Sequence, residues 1–363
     1  RQMIVLGMHR SGTSALTNAL ARMGVFVGDQ DELTASNWEN PHGFFERRDA
    51  RRICDALLHR GEADWWKISR FDAGQLTNPV LGPAREDFIS LTEKLDAKGH
   101  WAIKEPRLCV LLPIVLPLLR RVLPIVALRH PIEIAHSLYH RNGFSIQASL
   151  ALWETYILRA LRDSDGLDRC FVHYDALIRD PAATLERLAT RLQSLGVSGL
   201  DPEQGVAAID PALFREKQDG GQDWRLSPEQ AHLWAMLKDL GVDGAGLEIP
   251  AVSLHATQIL REFEIDQTAR RSLISERERS KAEANLQRHQ AAADEARAKL
   301  GATDAQLKTT RAELEAAKAR SAETEAKHGK VSRELDETRT NLAGLNDRFD
   351  SARRELEVTT KRL

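Results

Sequence analysis

Gly7-Met8-His9-Arg10-Ser11-Gly12-Thr13-Ser14 decides how this chain is read. An apolar, strand-like run precedes it (Ile4-Val5-Leu6), and a helix-like run follows (Ala15-Leu16-Thr17-Asn18-Ala19-Leu20-Ala21-Arg22-Met23). A strand, a glycine-bounded loop and a helix in that order aim backbone N–H groups and a helix N-terminus at a phosphate. The glycines are spaced as in G-x-x-x-x-G-K-S/T, the loop of nucleotide triphosphatases, but Thr13 stands where that loop needs Lys. The cation lies three residues earlier, at Arg10. The loop reads as a phosphate site that is not built for the γ-phosphate of ATP.

Outward from this loop, short apolar runs alternate with helix-length segments. Ile4–Leu6, Trp101–Ile103, Leu123–Leu128 and Cys170–His173 read as buried strands. Ser14–Met23, Glu46–His59, Pro83–Lys98, Pro131–Arg141 and Ser145–Arg162 read as helices, the last with Ile146, Leu150, Trp153, Ile157 and Leu161 on one stripe. Asp180-Pro181 opens another, to about Leu195, with Pro in its first turn. Helical material over Ser227–Leu240 and Leu254–Phe263 closes the domain. Such alternation implies a parallel sheet with helices on both faces and a ligand beyond the carboxyl ends of the strands. The expected fold class is α/β, a P-loop-type parallel sheet followed by a long α-helical coiled coil.

Composition divides the 363 residues in two. Residues 1–262 hold all seven Trp, three Cys, three Tyr and thirteen Pro, whereas from about 268 onward Ala, Glu, Lys, Arg, Leu and Thr dominate. We therefore expect a nucleotide-binding catalytic domain over 1–262 and a coiled coil over 268–363. Counting sevens from Leu286 gives Ala293, Leu300, Leu307, Leu314, Ser321, His328, Leu335, Leu342, Phe349, Leu356 and Leu363. The companion position three residues on is poorer: His289, Ala296, Thr303, Thr310, Ala317, Thr324, Val331, Thr338, Leu345, Ala352 and Thr359. One good seam and one poor seam predict a modest coiled coil that oligomerises the chain or spaces it from something else.

The formal net charge of −2 gives no argument for nucleic acid. Three widely spaced cysteines, Cys54, Cys109 and Cys170, argue against a disulfide framework and for a reducing compartment, so the expected location is cytoplasmic. No signal peptide is visible, and the strand carrying the phosphate loop begins almost at residue 1. Leu108–Leu119 is very apolar, but at twelve residues with two prolines it is a buried helix rather than a transmembrane segment. The chain starts without Met and stops in mid-repeat, as a piece of a longer protein would.

Three further segments sharpen the reading. Ala127-Leu128-Arg129-His130-Pro131 leads to Ser137, and an Arg at a strand end with a Ser eight residues on, inside the next helix, can meet on one phosphate. Ile103-Lys104-Glu105-Pro106-Arg107 places cations at another strand end, and Phe171-Val172-His173-Tyr174-Asp175 places an aromatic at a third. Together these resemble the sulfotransferases that use 3′-phosphoadenylyl sulfate (PAPS), and among them the bacterial type close to the tyrosylprotein-sulfotransferase branch. The resemblance covers residues 3–195. The Arg10-Ser11-Gly12-Thr13-Ser14 stretch resembles the family's 5′-phosphosulfate loop, R/K-S-G-T-S/T. Arg129 and Ser137 resemble its 3′-phosphate motif, and His173-Tyr174-Asp175 through Arg179-Asp180-Pro181 a segment whose Tyr lies near the nucleotide.

The resemblance implies transfer of a sulfuryl group to an acceptor hydroxyl or amine, with no metal. No Cys, His or carboxylate cluster in the sequence has metal-ligand spacing either. Arg10 and the N–H groups of Gly12, Thr13 and Ser14 are placed to stabilise the charge that develops on the leaving phosphate. Lys104 matches a Lys that the tyrosylprotein branch keeps to hold the transferring group. Glu46, in Pro41-His42-Gly43-Phe44-Phe45-Glu46, matches that branch's base; His42 is the rival, since small-molecule sulfotransferases use a His. Arg47, Arg48, Arg51 and Arg52 form either a solvated helix face or a site for an anionic acceptor. Arg215 and Lys217 are candidates to complete the 3′-phosphate clamp, although the family's Arg-Lys-Gly element is not evident. A carbohydrate acceptor is preferred, because long coils accompany enzymes of surface polysaccharide. The alternatives are a P-loop kinase or other phosphotransferase, and a non-catalytic coiled-coil scaffold with an inactive domain of this kind.

Overall fold

The computed structural model describes residues 1–35, 43–76, 78–210 and 225–360. Its centre is a parallel sheet of β1 (Gln2–Leu6), β2 (Trp101–Lys104), β3 (Val122–Leu128) and β4 (Cys170–His173), in the order β2-β1-β3-β4. The sequence places all four strands, and for a physical reason. Strands covered on both faces need apolar residues at successive positions, and these runs supply them. Ile4, Leu6, Trp101, Ile103, Val126, Leu128 and Phe171 face one apolar cluster; Met3, Val5, Ala102, Leu123, Ile125, Ala127, Cys170 and Val172 face the other. Pro124 sits in β3 opposite Ile4, one residue before the β3–β4 pairing starts at Ile125. Its missing N–H therefore costs that pairing nothing.

Helices cover both faces. On the first lie α2 (Arg48–Arg60), α3 (Asn78–Asp96), α4 (Leu108–Val115), α5 (Pro131–Asn142), α6 (Ile146–Asp163), α10 (Pro228–Leu237) and the first turns of α11 (Leu254–Thr360). On the second lie α1 (Thr13–Arg22), α7 (Tyr174–Arg179), α8 (Pro181–Ser194) and, against α1 and α8, α9 (Pro202–Val206). The chain turns at Gly82 (φ 46°) inside α3, so its regular part starts at Pro83, as the sequence suggests. α4 is the apolar stretch that is too short for a membrane. Among the described residues no helix is long and apolar enough to cross one. Cys54, Cys109 and Cys170 are free and buried.

The chain forms two compact units, Arg1–Arg271 and Ser272–Leu363. The second consists of the continuation of α11, a single helix with its leucines exposed.

Candidate functional site

In the order β2-β1-β3-β4 the chain leaves β1 towards one neighbour and returns to fill the other side. The carboxyl ends of β1 and β3 therefore flank the crevice where ligands of such sheets bind. The candidate side chains all sit at this edge. β1 feeds the glycine loop, Lys104 ends β2, Arg129 follows β3, and Tyr174 follows β4 at the start of α7.

The loop closes as a tight turn, with the Ser11 N–H donating to the Met8 carbonyl at 3.0 Å. Gly12 caps α1 in the left-handed region (φ 84°), and no side chain caps the helix. First-turn N–H groups without a side-chain acceptor suit an anion. A Cβ on Gly12 would lie 2.1 Å from Tyr174 Cδ2, so the ring packs directly on the loop. Arg10 also takes a positive φ, 74°, a strained conformation for a residue with a side chain.

Two groups of side chains flank the loop. In the first, Lys104 Nζ donates to Glu46 Oε1 at 2.6 Å and to Ser14 Oγ at 3.3 Å, and Ser14 Oγ donates to the Phe44 carbonyl at 3.1 Å. Lys104 is only 2% exposed. Glu46 lies before α2 rather than in its first turn, and two backbone hydrogen bonds fix it: Thr34 N–H to its carbonyl at 2.8 Å and Arg48 N–H to that of Glu32 at 3.0 Å. Arg47, read as part of an arginine-rich face, is instead buried, forked between Glu32 at 2.7 Å and Asp49 at 2.8 Å. Arg48, Arg51 and Arg52 are exposed.

In the second group, Arg10 Nε donates to Ser137 Oγ at 2.7 Å, and Arg129 donates to the Arg10 carbonyl at 2.9 Å. The Arg129 guanidinium lies 4.7 Å from the centre of the Tyr174 ring and pairs with Glu133 at 2.9 Å. Burial raises the Tyr174 phenol above its ordinary range, against the pull of Arg129, so it is a neutral donor at physiological pH. Thus Arg10, Gly12, Arg129, Ser137 and Tyr174 form one cluster, and Ser14, Glu46 and Lys104 another. Ser11 and Thr13 are buried within the loop between them. His42, Arg215 and Lys217 lie outside the described residues.

Two pairings escape the sequence. Glu133, one helical turn after Arg129, carries no motif, although its i,i+4 spacing was a signal. Arg107 is buried, pairing with Glu105 at 2.6 Å and with Asp55 of α2 at 2.7 Å. It ties the end of β2 to α2 and so fixes Lys104 relative to Glu46. Burial raises the Glu105 carboxyl above the ordinary carboxylate range even with Arg107 beside it. Among the described residues no group of three or more His, Cys, Asp or Glu could hold a metal ion.

A parallel α/β domain with cations, hydroxyls and an uncapped helix N-terminus at one strand edge is equipped to handle an anionic ligand. The sulfotransferase family model matches residues 2–194, more than half of the chain, and the chain belongs to that family. It is similar to the solved sulfotransferase domain of the curacin biosynthetic pathway, with 13% identity and a TM-score of 0.40 over 68% of this chain and 98% of that one. It is also similar to sulfotransferase STF9 of Mycobacterium avium, at 18% identity and a TM-score of 0.42 over 67% and 78%. The sulfotransferase domain of the Synechococcus PCC 7002 olefin synthase gives 17% identity and a TM-score of 0.36 over 72% and 94%. No curated protein matches the chain in sequence. The assignment rests on the matched residues 2–194.

Proposed function

We propose that this chain is a PAPS-dependent sulfotransferase acting on an acceptor hydroxyl or amine, with a carbohydrate as the preferred acceptor class. The observation that carries the reading is the pairing of two polar clusters across one uncapped helix N-terminus. One is Arg10–Ser137–Arg129–Tyr174 and the other Lys104–Glu46–Ser14. The residues present fit a nucleotide with phosphates at both ends of its ribose. Arg129, Ser137 and the Tyr174 ring serve the 3′-phosphate and adenosine side; Arg10 with the Gly12–Ser14 backbone serves the 5′ side. When bound, the donor would supply the sulfuryl group, and its 5′-phosphate would be the leaving group that takes the S–O bonding electrons as the acceptor oxygen or nitrogen bonds to sulfur.

The chain supplies position and charge, which dominate such transfers. Arg10 and the N–H groups opening α1 stabilise negative charge on the leaving phosphate. Lys104 has three N–H donors, of which two reach Glu46 and Ser14; the third can hold a sulfuryl oxygen. Glu46 Oε1 accepts the proton of the acceptor group, and its hydrogen bond from Lys104 keeps it aimed at the crevice. The loop is the P-loop-type anion cradle, without its lysine. The exposed leucine seam beyond residue 272 acts as a coiled coil through which the chain self-associates. The three reduced, buried cysteines suit the cytoplasm.

The test is calorimetric binding of adenosine 3′,5′-bisphosphate to the full chain, beside ATP with Mg²⁺. Tight binding of the bisphosphate and poor binding of ATP are expected, with both weakened contacts visible in Arg10→Ala and Arg129→Ala. Preference for ATP–Mg²⁺ would move the chain to phosphotransfer, and binding of neither would leave it a scaffold.

A further inference from the structure

The second unit presents a stripe of exposed apolar side chains. From Leu286 onward the exposed large apolar side chains are Leu286, Leu300, Leu307, Leu314, Val331, Leu335, Leu342, Leu345, Phe349, Leu356 and Val358. All but Val358 fall on the two seam positions of one seven-residue repeat, called a (Leu286 and every seventh residue) and d (three further on). Such a stripe on a helix is buried by another helix carrying the same repeat. The flanking charges identify that helix.

In a parallel, in-register pair, the residue before each a position faces the residue five further on in the second copy. Here that sets Lys299 against Asp304, Glu313 against Lys318, Arg320 against Glu325 and Glu334 against Arg339; Arg348 against Arg353 is the like-charge exception. A slip of one heptad sets Lys299 against Arg311, Glu313 against Glu325 and Lys327 against Arg339 along one side. Along the other, Lys299–Arg297 and Arg320–Lys318 are like pairs and Glu313–Arg311, Lys327–Glu325 and Glu355–Arg353 opposite ones, so like pairs outnumber opposite ones in the slipped pairing. It also places the polar a residues Ser321 and His328 opposite leucines or each other. Fully overlapped antiparallel pairing sets Lys299 against Arg348, Glu313 against Glu334 and Arg320 against Lys327, with only Asp304–Arg339 and Lys318–Glu325 attractive. Opposite charges flanking the seam favour a pairing and like charges oppose it, each by a similar amount. The flanking positions are polar almost throughout, so the buried face is too narrow for bundles of three or more helices, which bury those positions as well.

We propose that residues 286–359 pair with a second copy of this chain as a two-stranded, parallel, in-register coiled coil, specified by the Lys299–Asp304, Glu313–Lys318, Arg320–Glu325 and Glu334–Arg339 contacts. This deepens the self-association reading above and rests on it. The pairing brings the amino-terminal ends of the two coil segments together.

The test uses the full chain in sedimentation and in oxidative cross-linking, the native cysteines being buried. Ala296→Cys and Ala352→Cys, each alone, are expected to form covalent dimers, because both lie at d and far from the middle of the coil. Ala305→Cys, on the outer face, is expected not to. The charge variant E313K/E334K should weaken the dimer about ten- to hundred-fold, and adding K318E/R339E should restore it. A monomer in sedimentation removes self-association altogether and this proposal with it. A dimer that cross-links only when Ala296→Cys is mixed with Phe349→Cys keeps self-association and overturns the parallel register. A mass above the dimer, absence of every cross-link, or failure of the second charge pair to rescue the first also overturns it.

Discussion

Lys104 and Glu46 meet at 2.6 Å with Lys104 almost wholly out of water, so neither can be changed without stranding the other. Removing one partner of a buried pair costs roughly 3–5 kcal/mol because the remaining charge keeps its desolvation penalty. Lys104→Met is therefore expected to lose about that much stability in urea unfolding. Adding Glu46→Gln should recover part of it, the signature of a coupled pair. Glu46→Gln alone retains a hydrogen-bonding oxygen but not a base. We expect it to bind adenosine 3′,5′-bisphosphate normally while transfer falls by roughly 10²–10⁴; normal turnover would return the role of base to His42. His9, beside Arg10, supports a separate prediction. Its buried Nε2 has no hydrogen-bond partner among the described residues, and its ring sits 4.6 Å from Trp65 and 6.1 Å from Tyr156. Burial, reinforced by Arg107, Arg141, Lys104 and Arg10, holds its pKa well below 6.5. The folded pKa is depressed, so below about pH 6.5 the unfolded chain binds a proton that the folded chain refuses. The contribution is intact above that pH and is lost as pH falls, with a slope of up to about 1.4 kcal/mol per pH unit. Between pH 7 and pH 5 the thermal midpoint of the native chain should drop further than that of His9→Phe; parallel curves would sink the idea.

At the scale of elements, the join between β1 and α1 depends on Gly12. A Cβ there meets Tyr174 Cδ2 at 2.1 Å on a backbone already at φ 84°. Gly12→Ala must displace the ring that Arg129 stacks on. We expect at least about 2 kcal/mol of destabilisation, with nucleotide affinity weakened. Tyr174→Ala in the same chain should return part of the stability but not the affinity. The long helix gives the opposite case. Gly301, Gly329 and Gly344 meet nothing within 4 Å and lie off the seam, so Ala at each should stabilise the helix by about 1 kcal/mol and raise its melting temperature. Circular dichroism of the full chain reads this directly. These elements also mark what a sequence makes visible. The strands were legible because burial on both faces leaves unbroken apolar runs, and α6 because eighteen residues carry a stripe. α7 and α9 were not, since six and five residues span too few turns to show a period. The turn between β1 and α1 was legible from its glycines. The contact of Arg10 with Ser137, 127 positions away, was not, because it is made by the β1–β3 neighbourhood. The left-handed backbones of Arg10 and Phe45 leave no trace in residue type.

At the scale of the whole molecule, the first turns of α11 belong to the first unit, and they anchor a segment that reaches the glycine loop. The Glu264 carboxylate accepts the N–H groups of Ile68 and Ser69, each at 2.7 Å, and the Ser69 hydroxyl at 2.6 Å. Phe263 packs edge-on against Trp66 and Phe144, and Arg271 lies 4.5 Å over the Trp66 ring and 3.5 Å from Asp64. Trp65, between these anchors, stacks on Phe144 at 5.5 Å and meets His9 in the loop itself. A chain ending at Arg271 keeps every one of these contacts; a chain ending at Glu262 loses those made by Phe263, Glu264 and Arg271. The buried Ile68 N–H left without an acceptor costs about 1–3 kcal/mol, the half-buried Ser69 N–H less, and the lost Phe263 burial adds about 1.5–3 kcal/mol. Residues 1–262 should therefore unfold several degrees below residues 1–271 in scanning calorimetry, and should bind the bisphosphate more weakly as Trp65 loosens against His9. Residues 1–271 should bind it as the full chain does, while sedimenting as a monomer. Equal midpoints for the two truncations would mean that the first turns of α11 only cover the domain. A lower midpoint with unchanged affinity would show that the Asp64–Ser69 segment supports the fold without reaching the loop.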